Sequence, residues 1–121
     1  GMAALADRWL PPMVWEGNQT DAPLMAGLRA MVLRMNPDLH ERQIKALVNR
    51  PDAAAYLPQV TCPVLLMVGR QDQWSPVAQH QDMLALLPDA RLEIIEGAGH
   101  FAPVERPEAV ADRLVPFLRG L

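Results

Sequence analysis

Two side chains in this sequence stand where acid–base chemistry is possible. Asp72 closes the stretch "VLLMVGRQD" and His100 closes "RLEIIEGAGH", so each follows a short apolar run by only a few residues. A carboxylate that accepts a hydrogen bond from a histidine Nδ1 fixes the tautomer of the ring. It also stabilises the imidazolium that forms when Nε2 takes up a proton. Gly97 and Gly99 bracket the approach to His100 and allow a tight turn that aims the ring. Taken singly, Asp72 reads equally well as a turn residue after Gly69, and His100 as a loop residue bonded to backbone. Their occurrence at matching positions after two similar runs favours the paired reading.

The elements that must position them follow from the change of period near Val60. "CPVLLMVG" is a continuous apolar run entered through Pro63 and ended by Gly69, which predicts a strand buried on both faces of a parallel sheet. Ser75 and Pro76 open a helix in which Val77, His80, Leu84 and Leu87 share a face. "RLEII" is a second strand, and Pro107 opens a last helix with Val110, Leu114, Phe117 and Leu118 on one side. A right-handed crossover makes the two strands parallel neighbours. Ligands of such sheets sit beyond the carboxyl ends of the strands, where Asp72 and His100 both lie.

Residues 2–58 are helical in pattern and contain no strand. Thr20 and Asp21 can cap a helix whose Leu24, Leu28, Met31, Val32 and Met35 form an apolar stripe. Core packing is the simpler account of that Met-rich stripe, and a flexible cover over an apolar ligand is the sharper one. Asn36-Pro37 starts another helix, with Ile44, Leu47 and Val48 on one face, and Pro51 ends it. The boundary falls at 57–63, giving a helical part, residues 2–58, and a strand–helix–strand–helix part, residues 59–121.

Composition removes several function classes. The 121 residues carry a net charge of −3 with no basic cluster, which leaves nothing to neutralise a nucleic-acid backbone. The single cysteine, Cys62, excludes an internal disulfide and suits a reducing, cytoplasmic compartment. Residues 2–15 lack a basic start and are broken by Pro11-Pro12, so they read as neither a signal peptide nor a membrane span. His40 and His80 have no spaced Cys, Asp or Glu partners, and "EGAG" lacks the Lys and Ser or Thr of a phosphate loop, so neither metal nor cofactor is expected. Trp74 and Phe101, beside the acid and the histidine, fit pocket lining and ordinary packing equally. Glu93 and Glu96 read as a solvated strand end.

The second half resembles a known family. "CPVLLMVGRQDQWSP" is similar to the strand of the α/β-hydrolase fold that delivers the catalytic acid. "LEIIEGAGHFAPVERPEAVADRL" is similar to its following strand, histidine loop and final helix, in the manner of small esterases and enol-lactone hydrolases. The resemblance implies an α/β fold class: a partial α/β-hydrolase fold of two parallel strands with flanking helices, preceded by a helical, lid-like segment. It also implies that Asp72 is the triad acid and His100 the general base. Pro116, inside the final helix, departs from good helix chemistry and is expected to kink or end it.

The larger departure concerns the nucleophile, which the family presents on a G-x-S-x-G turn. No such motif occurs here. The only serine, Ser75, reads as a helix N-cap, and Cys62 reads as a small buried residue at the entry of a strand, the wrong end for the site. The expectation is therefore the carboxy-terminal part of a carboxylic-ester or lactone hydrolase that carries acid and base but no nucleophile, and is inactive unaided. The alternative is a non-catalytic binding or oligomerisation module derived from that fold. The partners implied are a separate amino-terminal hydrolase part, a small apolar ester or lactone, and a second copy of the chain. That second copy would pair along the open edge of strand 64–68, unless the helical half folds back to shield it.

Overall fold

The computed structural model describes residues 1–121. Helix α1 spans Met2–Met13 and buries Ala6, Leu10 and Met13, whose spacing of four and three sets them on one stripe. Pro11 and Pro12 do not break α1. Each removes an N–H that would donate to the carbonyl four residues back, but both fall in the last turn, so little helix follows to be misaligned, and Gln19 Nε2 donates to the carbonyls of Pro11 and Val14 at 2.7 and 3.1 Å. Helix α2, Ala22–Leu33, is capped by Asp21, whose side chain accepts from Leu24 N at 3.0 Å. Asn36 does the same for α3, Pro37–Val48, through Leu39 N at 2.8 Å.

The stripe of α2 packs on α1. Leu28 and Val32 join Ala6, Leu10 and Val14 in one buried cluster, with Leu24 and Met25 partly buried beside it. Helix α3 makes no comparable contact, and Ile44, Leu47 and Val48 on its apolar face are exposed. Two single-turn 3-10 segments, Ala53–Ala55 and Leu57–Gln59, lead into the second half.

There β1, Val64–Gly69, and β2, Ala90–Ile95, form a two-stranded parallel sheet in the register Val64↔Ala90 to Gly69↔Ile95. The crossover is α4, Val77–Leu86, which touches both strands, as does α6, Pro107–Arg119. A second cluster of Ile95, Ala98, Ala102 and Val110, with Met67 against it, forms the core on the α6 side. Between β2 and α6 lies α5, Ala102–Glu105, a single turn that the sequence pattern does not announce.

Several local expectations are corrected. Strand β1 is not buried on both faces: only Val68 and Gly69 are buried, and Val64 to Met67 are half-exposed. Its second edge has no strand partner, and no hydrogen bond joins it to the first half of the chain. Ser75 is not the cap of α4; Pro76 occupies that position and the Ser75 hydroxyl bonds Gln79 Oε1 at 2.7 Å. Helix α6 continues through Pro116 to Arg119, because this proline also sits in a last turn. Cys62 is exposed rather than buried.

The loop after β2 depends on two glycines. Gly97 has φ +67°, a left-handed conformation that a side chain disfavours. Gly99 lies against the end of α1, where a Cβ would stand 2.7 Å from Met13 O and 2.9 Å from Trp15 N. Gly99→Ala is therefore expected to lose about 1–3 kcal/mol of stability, as overpacking against backbone does. Urea denaturation of the two chains checks this, and equal midpoints would show that the loop and α1 separate freely.

Candidate active site

The two strand ends are tied before any functional side chain is reached. Arg70 N donates to Ile95 O and Gln71 N to Ala98 O, each at 2.9 Å, and Ala98 N returns a bond to Gln71 Oε1 at 3.1 Å. Asp72 then turns inward and is buried. Its Oδ1 accepts from Trp74 N and Ser75 N, both at 2.9 Å, an Asx-type turn that fixes the carboxylate. His100 Nδ1 lies 3.0 Å from Asp72 Oδ2 and 3.2 Å from Oδ1. In the neutral ring this geometry places the proton on Nδ1, donating to the carboxylate, and leaves Nε2 as the acceptor. Nε2 has no partner in the chain, and the side chain is 38% exposed.

Asp72, His100, His80, Met67 and Pro103 border a cavity of about 260 Å³. His80 Nδ1 is held by Pro76 O at 3.1 Å within its own helix. Phe101 faces the other way and joins the two halves of the chain. Its ring packs edge-on against Trp9 of α1 at 5.9 Å and stands 6.0 Å from the His100 ring. Past Trp9, an apolar cavity of about 240 Å³ opens between α1, α2 and α3, bordered by Met2, Leu5, Met31 and Met35, with His40 at its side. Trp74 is exposed and meets Asp72 only through its backbone N–H. Neither Ser75 nor Cys62 is bonded to His100; Ser75 is turned to Gln79, and Cys62 precedes β1, at the opposite end of the sheet from the histidine loop.

Two acidic residues read as solvated are paired. Glu93 meets Arg113 at 3.2 Å, and Glu96 meets Arg70 at 2.7 Å across the strand ends. The hydrogen bond from Arg70 holds the Glu96 carboxyl below its ordinary range, and that same bond raises the guanidinium.

The residue that sequence reasoning missed is Glu105. It is buried, and its two oxygens accept four hydrogen bonds. Oε2 takes Gly99 N at 2.9 Å and Phe101 N at 3.1 Å; Oε1 takes Trp15 N at 2.8 Å and Asn18 Nδ2 at 3.2 Å. Within "FAPVERPEAV" it resembles any charged residue near a helix start. The only available signal is a carboxylate five residues after His100 in an otherwise apolar stretch.

The alpha/beta hydrolase family matches the chain over residues 2–113. The chain belongs to the alpha/beta hydrolase family. Among curated members it is 31% identical over 103 residues to the 2-hydroxy-6-oxononadienedioate/2-hydroxy-6-oxononatrienedioate hydrolase of Cupriavidus pinatubonensis, a match covering 82% of this chain and 35% of that one. It is 34% identical over 94 residues to the pimeloyl-[acyl-carrier protein] methyl ester esterase of Nitrosomonas europaea, covering 76% and 37%. Among solved structures, a malate-bound thermophilic esterase from Thermogutta terrifontis superposes with TM-score 0.93 at 29% identity, over 99% of this chain and 44% of that one. This alpha/beta hydrolase chain thus spans about a third of the length of those two curated relatives. No helix in it is long and apolar enough to cross a membrane.

The Arg70–Glu96 pair carries a pH signature. A carboxylate whose folded-state pKa is depressed adds stability above its unfolded pKa and loses it as pH falls through the folded value. A difference in melting temperature between the wild-type chain and Glu96→Gln is therefore expected near neutrality, small because the pair is exposed and smaller still in salt, and it is expected to be lost as pH falls below the ordinary glutamate range. Melting curves across that range, at low and high salt, check it.

Proposed function

We propose that this chain supplies the acid and the base of a carboxylic ester or lactone hydrolase, with Asp72 orienting and His100 transferring the proton. The observation that carries the reading is the 3.0 Å contact from His100 Nδ1 to a buried, doubly bonded Asp72, with Nε2 left without a partner in the chain and His100 bordering a cavity. In that arrangement His100 Nε2 removes the proton of an attacking hydroxyl as its oxygen adds to the ester carbonyl. Asp72 stabilises the imidazolium, and Nε2 then delivers the proton to the departing alkoxide. The names of the relatives, an esterase and a dienedioate-type hydrolase among them, support substrates with a carbonyl to attack. The helical segment 2–58 acts as a lid, and its methionine-lined cavity suits the apolar part of a small ester or lactone.

The attacking hydroxyl comes from outside these residues, on a nucleophile turn belonging to another stretch of polypeptide. Unaided, the chain is expected to hydrolyse 4-nitrophenyl acetate no faster than equimolar imidazole. Faster turnover that disappears in His100→Ala would expose a nucleophile within the chain and overturn that part of the reading. Combined with an amino-terminal hydrolase part bearing G-x-S-x-G, it should restore turnover. Asp72→Asn is then expected to lower the rate by about 10⁴-fold, as loss of the orienting acid does in serine proteases. Undiminished rates in both variants would remove Asp72 and His100 from the chemistry.

The open edge of β1 favours a second reading, in which the chain is an oligomerisation module. A two-fold axis there would pair Val64–Val68 antiparallel with its copy and cover a half-exposed apolar strand. Sedimentation at micromolar concentration is expected to return a dimer, and a clean monomer would dismiss it.

A further inference from the structure

We propose that Glu105 is a positioning residue for His100, a clamp that sets the histidine loop against Asp72 and couples it to the lid-like segment. It rests on the reading of His100 as the base only for its functional consequence; the geometry stands without it. The peptide N–H groups on both sides of His100, those of Gly99 and Phe101, converge on one oxygen, Oε2, at 2.9 and 3.1 Å. The N–H of His100 itself is taken by Met13 O at 2.8 Å. Three consecutive donors are therefore fixed, and the direction in which the imidazole leaves the backbone is fixed with them.

The other oxygen, Oε1, holds Trp15 N and Asn18 Nδ2, and Asn18 Nδ2 also reaches Gly97 O at 2.9 Å. Residues 13–18, where α1 hands the chain to α2, are thereby fastened to residues 97–101 by Glu105 together with the direct bonds from His100 N to Met13 O and from Asn18 Nδ2 to Gly97 O. A carboxylate is suited to this task because it only accepts and can serve four donors at once. Burying it without those donors would be strongly unfavourable, so clamp and donors are maintained together. Glutamine keeps the shape but offers one acceptor oxygen and turns an NH₂ toward N–H groups. Displacement of the α1 exit then reaches His100 through Glu105 as well as through the bond from its own N–H to Met13 O.

The test uses the full chain and reads the ring itself, so it is independent of ester turnover. In ¹⁵N-labelled protein the hydrogen-bonded Nδ1–H of His100 gives a downfield proton signal, which Asp72→Asn removes and so assigns. Glu105→Gln is expected to abolish or broaden that signal and to speed amide exchange at Gly99 and Phe101 by about tenfold, the change that loss of one ordinary hydrogen bond produces. The Val68 and Ile95 amides should stay in place. Glu108→Gln, an exposed carboxylate one residue into α6, should change nothing. A folded Glu105→Gln chain with the His100 signal and loop exchange of the wild type would overturn the proposal. Should that variant not fold, Asn18→Ala, which removes one donor from the far end of the clamp, decides. Faster exchange at Gly99 with a broadened His100 signal supports the coupling, and wild-type behaviour at both refutes it. Failure of the ester experiments with this pattern present would discard the hydrolytic reading and leave the clamp standing.

Discussion

Gly69 and Ile95 end β1 and β2 opposite one another, and the parallel ladder that sets them there governs everything beyond it. From that alignment Asp72 is three residues along one loop and His100 five along the other, and three backbone or side-chain bonds sew the loops together before either is reached. A slip of β1 by one residue would turn Val68 out of the core and displace its loop by a residue's length against the other. The meeting of carboxylate and imidazole is therefore a property of strand register first and of the two side chains second.

The two buried carboxylates solve the same problem in different ways. Neither is paired with a lysine or arginine. Each is compensated by backbone N–H groups, which are held in place by the turns they belong to and do not require a second charge to be desolvated. Asp72 uses one oxygen for Trp74 and Ser75 and leaves the other to His100. Glu105 commits both oxygens to the chain. The one strong ion pair at this end of the sheet, Arg70 with Glu96, lies in solvent outside them. The site is thus organised by hydrogen bonds to backbone within about thirty residues, plus one long-range tie to the end of α1.

Much of this was legible in the sequence. The apolar runs, the prolines at helix starts and the caps Asp21 and Asn36 reveal where elements begin, and topology alone brings Asp72 and His100 to one edge. What escaped was tertiary. Whether a proline damages a helix depends on how near the end it falls, and Pro11, Pro12 and Pro116 all fall in last turns. Whether β1 is covered depends on neighbours that no local pattern encodes, and four of its six residues stay partly exposed. Glu105 was invisible for the same reason: two of its four donors come from residues about 90 positions away, and periodicity has no signal for a partner at that distance.

That separation bears on the order in which the molecule forms. The contacts between α1 and α2 are local, and those between β1 and β2 bridge only one crossover, so both can nucleate with short loops closed. The tie from residues 13–18 to residues 97–105 requires closure of a loop of up to 90 residues, and such contacts are rewarded only after most of the entropy of closure has been spent. His100 is held by that tie from its first backbone donor onward. Its final orientation is consequently a late event in folding, reached after the sheet exists, and under mild denaturant or heat it is the arrangement expected to loosen before either core does.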